Sequence, residues 1–522
     1  MPSTLNYPGV YIEEVPSPVR TIVAVPTAVA GFVGRAKRGP LNQPIRIHNF
    51  TDFERTFGGL WSMSELGYAV QQYFLNGGAD AYVVRVVDTA TAAAAAVTYK
   101  LPTPTGNLFL SAKTPGTWSK DLFFTVDHNT RVPQQADEYN LTVVLKITDP
   151  ITNEVTVIRE EYRNVTGDPN KPRFVQSVVA NESNLVTVTG TVPPDRPNAV
   201  ADFNTIDSGT PSDGGPLGDT DLAPGGGPAS KKGMYALEDA EIVTILVIPP
   251  YSEGEKPGAP DIGNAVWSAA VVYAETKRAI LIYDPPAGWK DKAAVDTGKA
   301  AVDPFRSKNS VIYWPRILFS DPLKENRPRL FAPSGAMAGV YARIDTNRGV
   351  WKAPAGEEAK LLGAQGLQYT LTDLENGDLN PIAINCLRTF PILGHTCWGA
   401  RTLAGADAQA SEWKYIPVRR TALFIEESLF RASKWIVFEP NDEPLWAQIR
   451  LNFGAFMNSL FRQGAFQGQT PKEAYFVKCD SETTTQDDIN KGIVNILVGF
   501  APLKPVEFVV IKISQMAGKV PV

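Results

Sequence analysis

Apolar positions along the chain change period several times, and each change marks a different kind of element. Near the start, Tyr7-Pro-Gly-Val-Tyr-Ile-Glu-Glu-Val15 reads as a short extended segment rich in β-branched and aromatic residues. Near the end, Glu507-Phe-Val-Val-Ile-Lys-Ile513 reads the same way. Pro8, Pro16 and Pro18 bracket the first, and Pro502 and Pro505 precede the second, so neither extends a helix. Chain ends fray unless something ties them down. Two strand-forming ends therefore predict pairing with a distant strand or with another molecule.

Between the ends, Thr21–Val25 and Ala28–Val33 read as buried strands around a turn at Pro26. Ser64 to Asn76 has a capping serine, apolar Leu66, Val70, Tyr73 and Phe74, and Gly77-Gly78 as a stop, which predicts a helix. Ala81–Val87 follows as a strand. From about residue 98 to 205 the pattern alternates with period two, as in Leu141–Ile147 and Val155–Ile158, and predicts a β-rich insertion. Residues 208–233 contain 12 Gly or Pro among 26, a composition that predicts a mobile loop.

Strand Glu241–Ile248, helix Asn264–Thr276, strand Ala279–Tyr283, helix Lys299–Arg306 and strand Ser310–Tyr313 then alternate at the spacing of a parallel α/β layer. Arg420–Lys434 and Glu443–Arg462 read as helices. The second has Asn441 or Asp442 as its cap and Leu445, Ile449, Phe453, Phe456 and Leu460 on one stripe. Thr485–Lys491 reads as a short helix, and Gly492–Phe500 is expected to pair with the closing strand.

At 522 residues the chain has room for about three or four domains. A net charge of -5 argues against a general nucleic-acid binder. Cys386, Cys397 and Cys479 form no C-x-x-C pair and fit reduced thiols of a cytoplasm. The first basic residue is Arg20, so no signal-peptide pattern opens the chain, and the apolar stretch 22–34 is broken by Pro26. A protein made in the cytoplasm, without Sec export or membrane insertion, is expected.

Catalytic motifs are missing: there is no H-E-x-x-H, G-x-S-x-G, Walker A or G-x-G-x-x-G. His395-Thr-Cys397 lacks a positioned oxyanion donor for a thiolate and a third ligand for zinc. Asp480, Glu482, Asp487 and Asp488 lack the spacing of a calcium loop and read as helix N-terminal carboxylates. The chain is thus read as a non-enzyme with no catalytic, cofactor-binding or metal site. Arg420, Arg431, Lys434, Arg450 and Arg462 interleave with aromatics over two helices and are candidates for an electrostatic docking face.

Several segments in order resemble a known family. They are Tyr7–Val15; Thr51-Asp-Phe-Glu54 with Phe57-Gly-Gly59; Phe74-Leu-Asn-Gly-Gly78 leading into Tyr82-Val-Val-Arg85; and Pro333-Ser-Gly335 leading into Ala338–Arg343. Further on come Arg348-Gly-Val-Trp-Lys-Ala-Pro354, Leu379-Asn-Pro381 with Ile384-Asn-Cys386, Trp398–Leu403, Arg419-Arg420 with Leu423–Ser428, Val437-Phe-Glu-Pro-Asn441 and Asp487-Asp-Ile-Asn490. Together they cover about residues 1–90 and 235–522, and the chain resembles the contractile tail sheath proteins of phages and extracellular contractile injection systems.

The resemblance implies an α/β and α+β multidomain chain. It has an N-terminal β-arm at 1–20, an inner α+β core from 21–90 and 371–504, an outer β-rich insertion at 91–235, a middle α/β domain at 236–370 and a C-terminal β-arm at 505–522. Part of 21–90 is allowed to the middle domain.

The arms, Val10, Tyr11, Ile12, Glu13, Glu14 and Val15 with Glu507, Phe508, Val509, Val510, Ile511 and Ile513, would add strands to neighbouring subunits. Implied partners are further copies in stacked six-fold rings, an inner tube faced by the basic helices, a baseplate and a terminal cap, with no nucleic acid. The alternatives are a hydrolase built on the 236–370 alternation, which fold class alone does not support, and an adhesion protein built around the insertion.

Overall fold

The computed structural model describes residues 21–88, 95–131, 133, 135–148, 153–250 and 262–512. The calls on residues 7–18 and on Ile513 lie outside that set. The chain divides into two compact units, one of residues 28–347 and 354–416, the other of residues 1–27, 348–353 and 417–522.

The larger unit is organised on an eight-stranded sheet. From edge to edge its strands are Gly394–Cys397, Asn385–Phe390, Ser310–Trp314, Ile280–Tyr283, Ile245–Val247, Ala30–Gly34, Ala81–Arg85 and Ile45–Ile47. The six inner strands are parallel and the two outermost antiparallel. Strands 30–34, 81–85, 280–283 and 310–314 are buried along their whole length, as a parallel sheet covered on both faces requires. Residues 28–88, grouped in the sequence reading with 371–504, supply three strands of this sheet.

Helix Leu66–Leu75 begins two residues later than expected, with Ser64 Oγ accepting from the Leu66 amide at 3.2 Å. It crosses helix Ser334–Arg348 at very short range. A Cβ on Gly335 would sit 2.4 Å from the Ala69 carbonyl oxygen, and one on Gly339 would sit 2.4 Å from that of Tyr73. Glycines four residues apart on one face are what let the two backbones touch.

The insertion is a sandwich within this unit. One sheet runs Val200–Phe203, Leu122–Asp127, Glu138–Thr148, Val155–Thr166, and the other runs Ile206–Ser208, Thr98–Pro102, Asn107–Ala112, Val186–Thr189. Tyr99, Leu110, Phe124, Tyr139, Leu141, Val143 and Val186 are among its core residues. Period-two alternation places those side chains on the inner faces.

Three expectations in this unit need correcting. Residues 208–233 are tied down at several points: Ser212 bridges Ala95, Arg35 donates to the Gly214 carbonyl at 2.9 Å, and Leu217 and Leu222 are buried. A few well-placed apolar and polar anchors offset a composition poor in core residues. The 241–248 strand shrinks to Ile245–Val247. Residues Lys299–Phe305 wind as a 3-10 helix containing Pro304, which cannot donate to an α-helical ladder.

The smaller unit packs helices Ile416–Ala432 and Glu443–Arg462 around Phe424, Ile425, Leu429, Trp446, Ile449, Phe453, Phe456, Met457 and Leu460. Asp442 caps the second helix by accepting from the Leu445 amide. Thr21–Val25 is not a strand but an extended segment with Val23 exposed; Ile22 and Val25 lean on this core, and the Val25 amide donates to Ser428 Oγ. Its strand-like composition finds no ladder partner among the described residues.

Candidate self-assembly interface

A two-stranded antiparallel sheet, Tyr475–Lys478 with Leu497–Phe500, closes the smaller unit. Gly492–Phe500 was expected to pair with the chain's closing strand, and the structure pairs it with 475–478 instead. The choice is made by burial. Tyr475, Val477, Val498 and Phe500 turn inward against the helical core, with Phe466 5.5 Å from Phe500 between ring centres. Phe476 and Leu497 point outward and are exposed, with the Phe476 ring lying over Gly499. Two strands alone are marginal in water. Among the described residues no third strand pairs with either outer edge.

After Pro502, which bridges Phe466, the chain leaves this sheet and residues 503–512 adopt neither helix nor strand. Val506, Phe508, Val509, Val510 and Ile511 are 73–80 % exposed. Such a run in open solvent is unusual, because burying each side chain is worth roughly 1.5–3 kcal/mol. A long edge strand elsewhere is treated differently: Val155–Thr166 carries Arg159, Glu161 and Arg163, ion-paired in succession along the strand, which blunts it against pairing. The 506–511 stretch has only Glu507 as a charge.

The candidate basic face is only partly a face. Arg420 is 3 % exposed and donates to the Thr27 carbonyl at 2.9 Å, so it offers nothing to a partner, and its inclusion is corrected. Arg431 is held by Glu427 at 2.6 Å. Arg450 is engaged by Glu443 and the Cys479 carbonyl. Lys434 and Arg462 are exposed. Phe438 was missed as a surface feature, although its motif was noted; its exposure comes from turn geometry that no residue pattern announces.

Groups weighed as chemistry are engaged in structure. Burial pushes the Cys386 and Cys397 thiols up to about 12, which disfavours a thiolate, and Cys397 donates to the Gly399 carbonyl. Asp488 accepts from Thr485 in a capping box, Asp480 caps the turn at Thr483, and Glu482 and Asp487 pair with Lys478 and Lys491. No cluster of three metal-ligating side chains occurs among the described residues. No described helix is long and apolar enough to cross a membrane. Beyond the parallel strands a cleft of about 110 Å³ is lined by Trp267, Tyr283 and Asp284, whose carboxylate accepts from the Ser334 amide and hydroxyl. That volume is small beside ordinary ligand pockets.

Residues 408–515, which contain the open sheet and the exposed terminal run, match the phage tail sheath C-terminal domain. The chain is similar to tail sheath proteins. Residues 23–192 match a second family, DUF2586, N-terminal domain. The chain is 24 % identical to the tail sheath protein of Burkholderia phage BcepMu over 467 residues, 86 % of this chain and 85 % of that one. It is 26 % identical over 248 residues to a prophage protein of Pseudomonas aeruginosa described as a major tail sheath protein, covering 47 % of this chain and 60 % of that relative. The fold is similar to that of the sheath of an extracellular contractile injection system in its contracted state, with a TM-score of 0.58, 22 % identity and 98 % of both chains covered. These relatives are described as sheath proteins, and none of the three points to the hydrolase alternative.

Proposed function

We propose that this chain is the repeating structural subunit of a helical contractile sheath around an inner tube. The observation that carries the reading is an exposed apolar run, Val506–Ile511, following a two-stranded sheet to which no further strand pairs among the described residues. Phe508, Val509, Val510 and Ile511 of one copy, with Glu507 and Ile513, add as a strand to such a sheet in a neighbour. Val10–Val15 serves as the second arm. Backbone hydrogen bonds supply the affinity and alternate side chains the register. A head-to-tail contact of this kind does not close on itself and builds a helical polymer. Each subunit then has several partners, so modest contacts yield high avidity.

In this reading the sheath assembles in the host cytoplasm as stacked six-fold rings, bounded by a baseplate and a terminal cap. Lys434 and Arg462, with Arg431 and Arg450 behind them, face the tube. Contraction is a rigid-body rearrangement between two packings of one subunit, and the extended packing is held kinetically. A gap of a few kcal/mol per subunit is the usual size for alternative packings of one chain.

Electron microscopy of the purified chain, intact and without residues 503–522 or 1–18, tests the reading. Tubes of uniform width from the intact chain, lost on either truncation, are expected. Tubes that persist after both truncations would remove the arms from the mechanism. Calorimetry of extended sheaths should record heat released on contraction.

A further inference from the structure

Residues 436–439 form a type II turn. Val437 has φ -65° and ψ 130°, Phe438 has φ 73°, and the Glu439 amide donates to the Ile436 carbonyl at 3.2 Å. The third position of this turn requires positive φ and normally holds glycine, whose missing Cβ removes the steric conflict. Here it holds a phenylalanine. Phe438 is also fully exposed, and its neighbour Val437 is exposed beside it. The ring therefore adds backbone strain and gains no packing from the described residues of its own subunit. Strain of this kind persists where surrounding structure enforces it, and it concentrates at functional surfaces.

The surroundings enforce it through Asn441. Its side-chain oxygen accepts from Trp446 Nε1 at 2.9 Å, and its amide donates to the Ile493 carbonyl at 2.9 Å. The first bond fixes the turn to helix Glu443–Arg462. The second fixes it to the stretch that enters strand Leu497–Phe500, and Ile493 is itself exposed. The turn that displays the ring is thus bonded to the stretch leading into a sheet whose outer edges carry no further strand among the described residues.

We infer that Phe438 is an inter-subunit anchor, a ring held out by a strained turn to insert into an apolar recess of a second copy of this chain. The inference rests on the homopolymer reading above. A second copy is the occupant because Asn441 ties the turn to Ile493, in the stretch that leads into the strand at which a neighbouring copy's arm is proposed to add, so one neighbour can reach both. One exposed aromatic anchor of this kind is of the order that changes association about 10- to 100-fold.

Phe438→Gly relieves the turn and removes the ring together, so it separates a structural role from an assembly role. The expected result is a subunit melting temperature unchanged or raised, with the protein concentration needed for tube formation raised about 10- to 100-fold. Phe438→Asn, which also tolerates positive φ, should behave alike. Phe438→p-benzoyl-L-phenylalanine in wild-type-like tubes should photo-cross-link chain to chain. Wild-type tubes with an unchanged assembly threshold in Phe438→Gly, or a probe that cross-links nothing or only another protein, would overturn the anchor alone. A wild-type chain that forms no polymer overturns the homopolymer reading, and the anchor with it.

Discussion

The ring of Phe476 covers Gly499 across the terminal strand pair, so close that a Cβ on residue 499 would come within 2.2 Å of it. The obstruction is the free end of an exposed side chain and not backbone, so the ring can swing away. Gly499→Ala should therefore change unfolding free energy by less than about 1 kcal/mol, with improved strand propensity offsetting lost contact. Chemical denaturation reads this directly, and a loss above about 3 kcal/mol would show that the ring is fixed in place.

The crossing of helices 66–75 and 334–348 should respond in the opposite way. At Gly339 a Cβ meets the Tyr73 carbonyl oxygen at 2.4 Å, and backbone cannot step aside as a ring can. Gly339→Ala should cost about 1–3 kcal/mol through forced separation of the helices, more than its gain in helix propensity. Urea denaturation of the variant that matched wild type would contradict the close crossing.

Val509→Asp with Ile511→Asp should leave the isolated subunit within about 0.5 kcal/mol of wild type, because both side chains are exposed. The same pair of changes should abolish tubes seen by electron microscopy, since a charged pair cannot be buried in an added strand without a large penalty. Loss of subunit stability instead would mean that the run packs within its own chain.

Glu65 gives a pH prediction. It is buried beside Arg329, at 3.4 Å, and burial pushes its carboxyl up to about 7, with Arg316 and Arg329 opposing that shift and Asp284 adding to it. Between the ordinary carboxylate range and about pH 7 the folded chain holds a proton that the unfolded chain releases. The contribution of Glu65 to stability is therefore greatest at low pH and declines as pH rises to about 7, then stays level. Glu65→Gln keeps the neutral shape, so its stability relative to wild type should improve between pH 4.5 and 7, as measured by paired denaturation curves. A relative loss over that range would show that the two arginines outweigh desolvation.

Local pattern alone was enough for several elements. The apolar stripe Leu445, Ile449, Phe453, Phe456, Leu460 and the cap at Asp442 defined helix 443–462 to the residue, and helix 264–276 was read with the same bounds. Asp487 and Asp488 read as helix N-terminal carboxylates, and both stand in the first turn of helix Gln486–Asn490. The alternating residues of 98–205 announced strands. These features depend on periods and caps that close within a few residues, so a linear reading contains their cause.

Other features depend on contacts between residues far apart in the chain, and only the tertiary structure decided them. Strand 497–500 was legible as a strand, but its pairing with 475–478 follows from which face the helical core could bury. Thr21–Val25 has strand composition and no ladder, because Ile22 and Val25 dock on side chains some 400 residues later. Arg420 read as a surface cation until the fold put the Thr27 carbonyl against it. The helix crossing at Gly335 and Gly339, and the glycine-type conformation forced on Phe438, likewise have no signature in their neighbours. Sequence specifies the short-range terms; burial and backbone approach are set by everything the fold brings together.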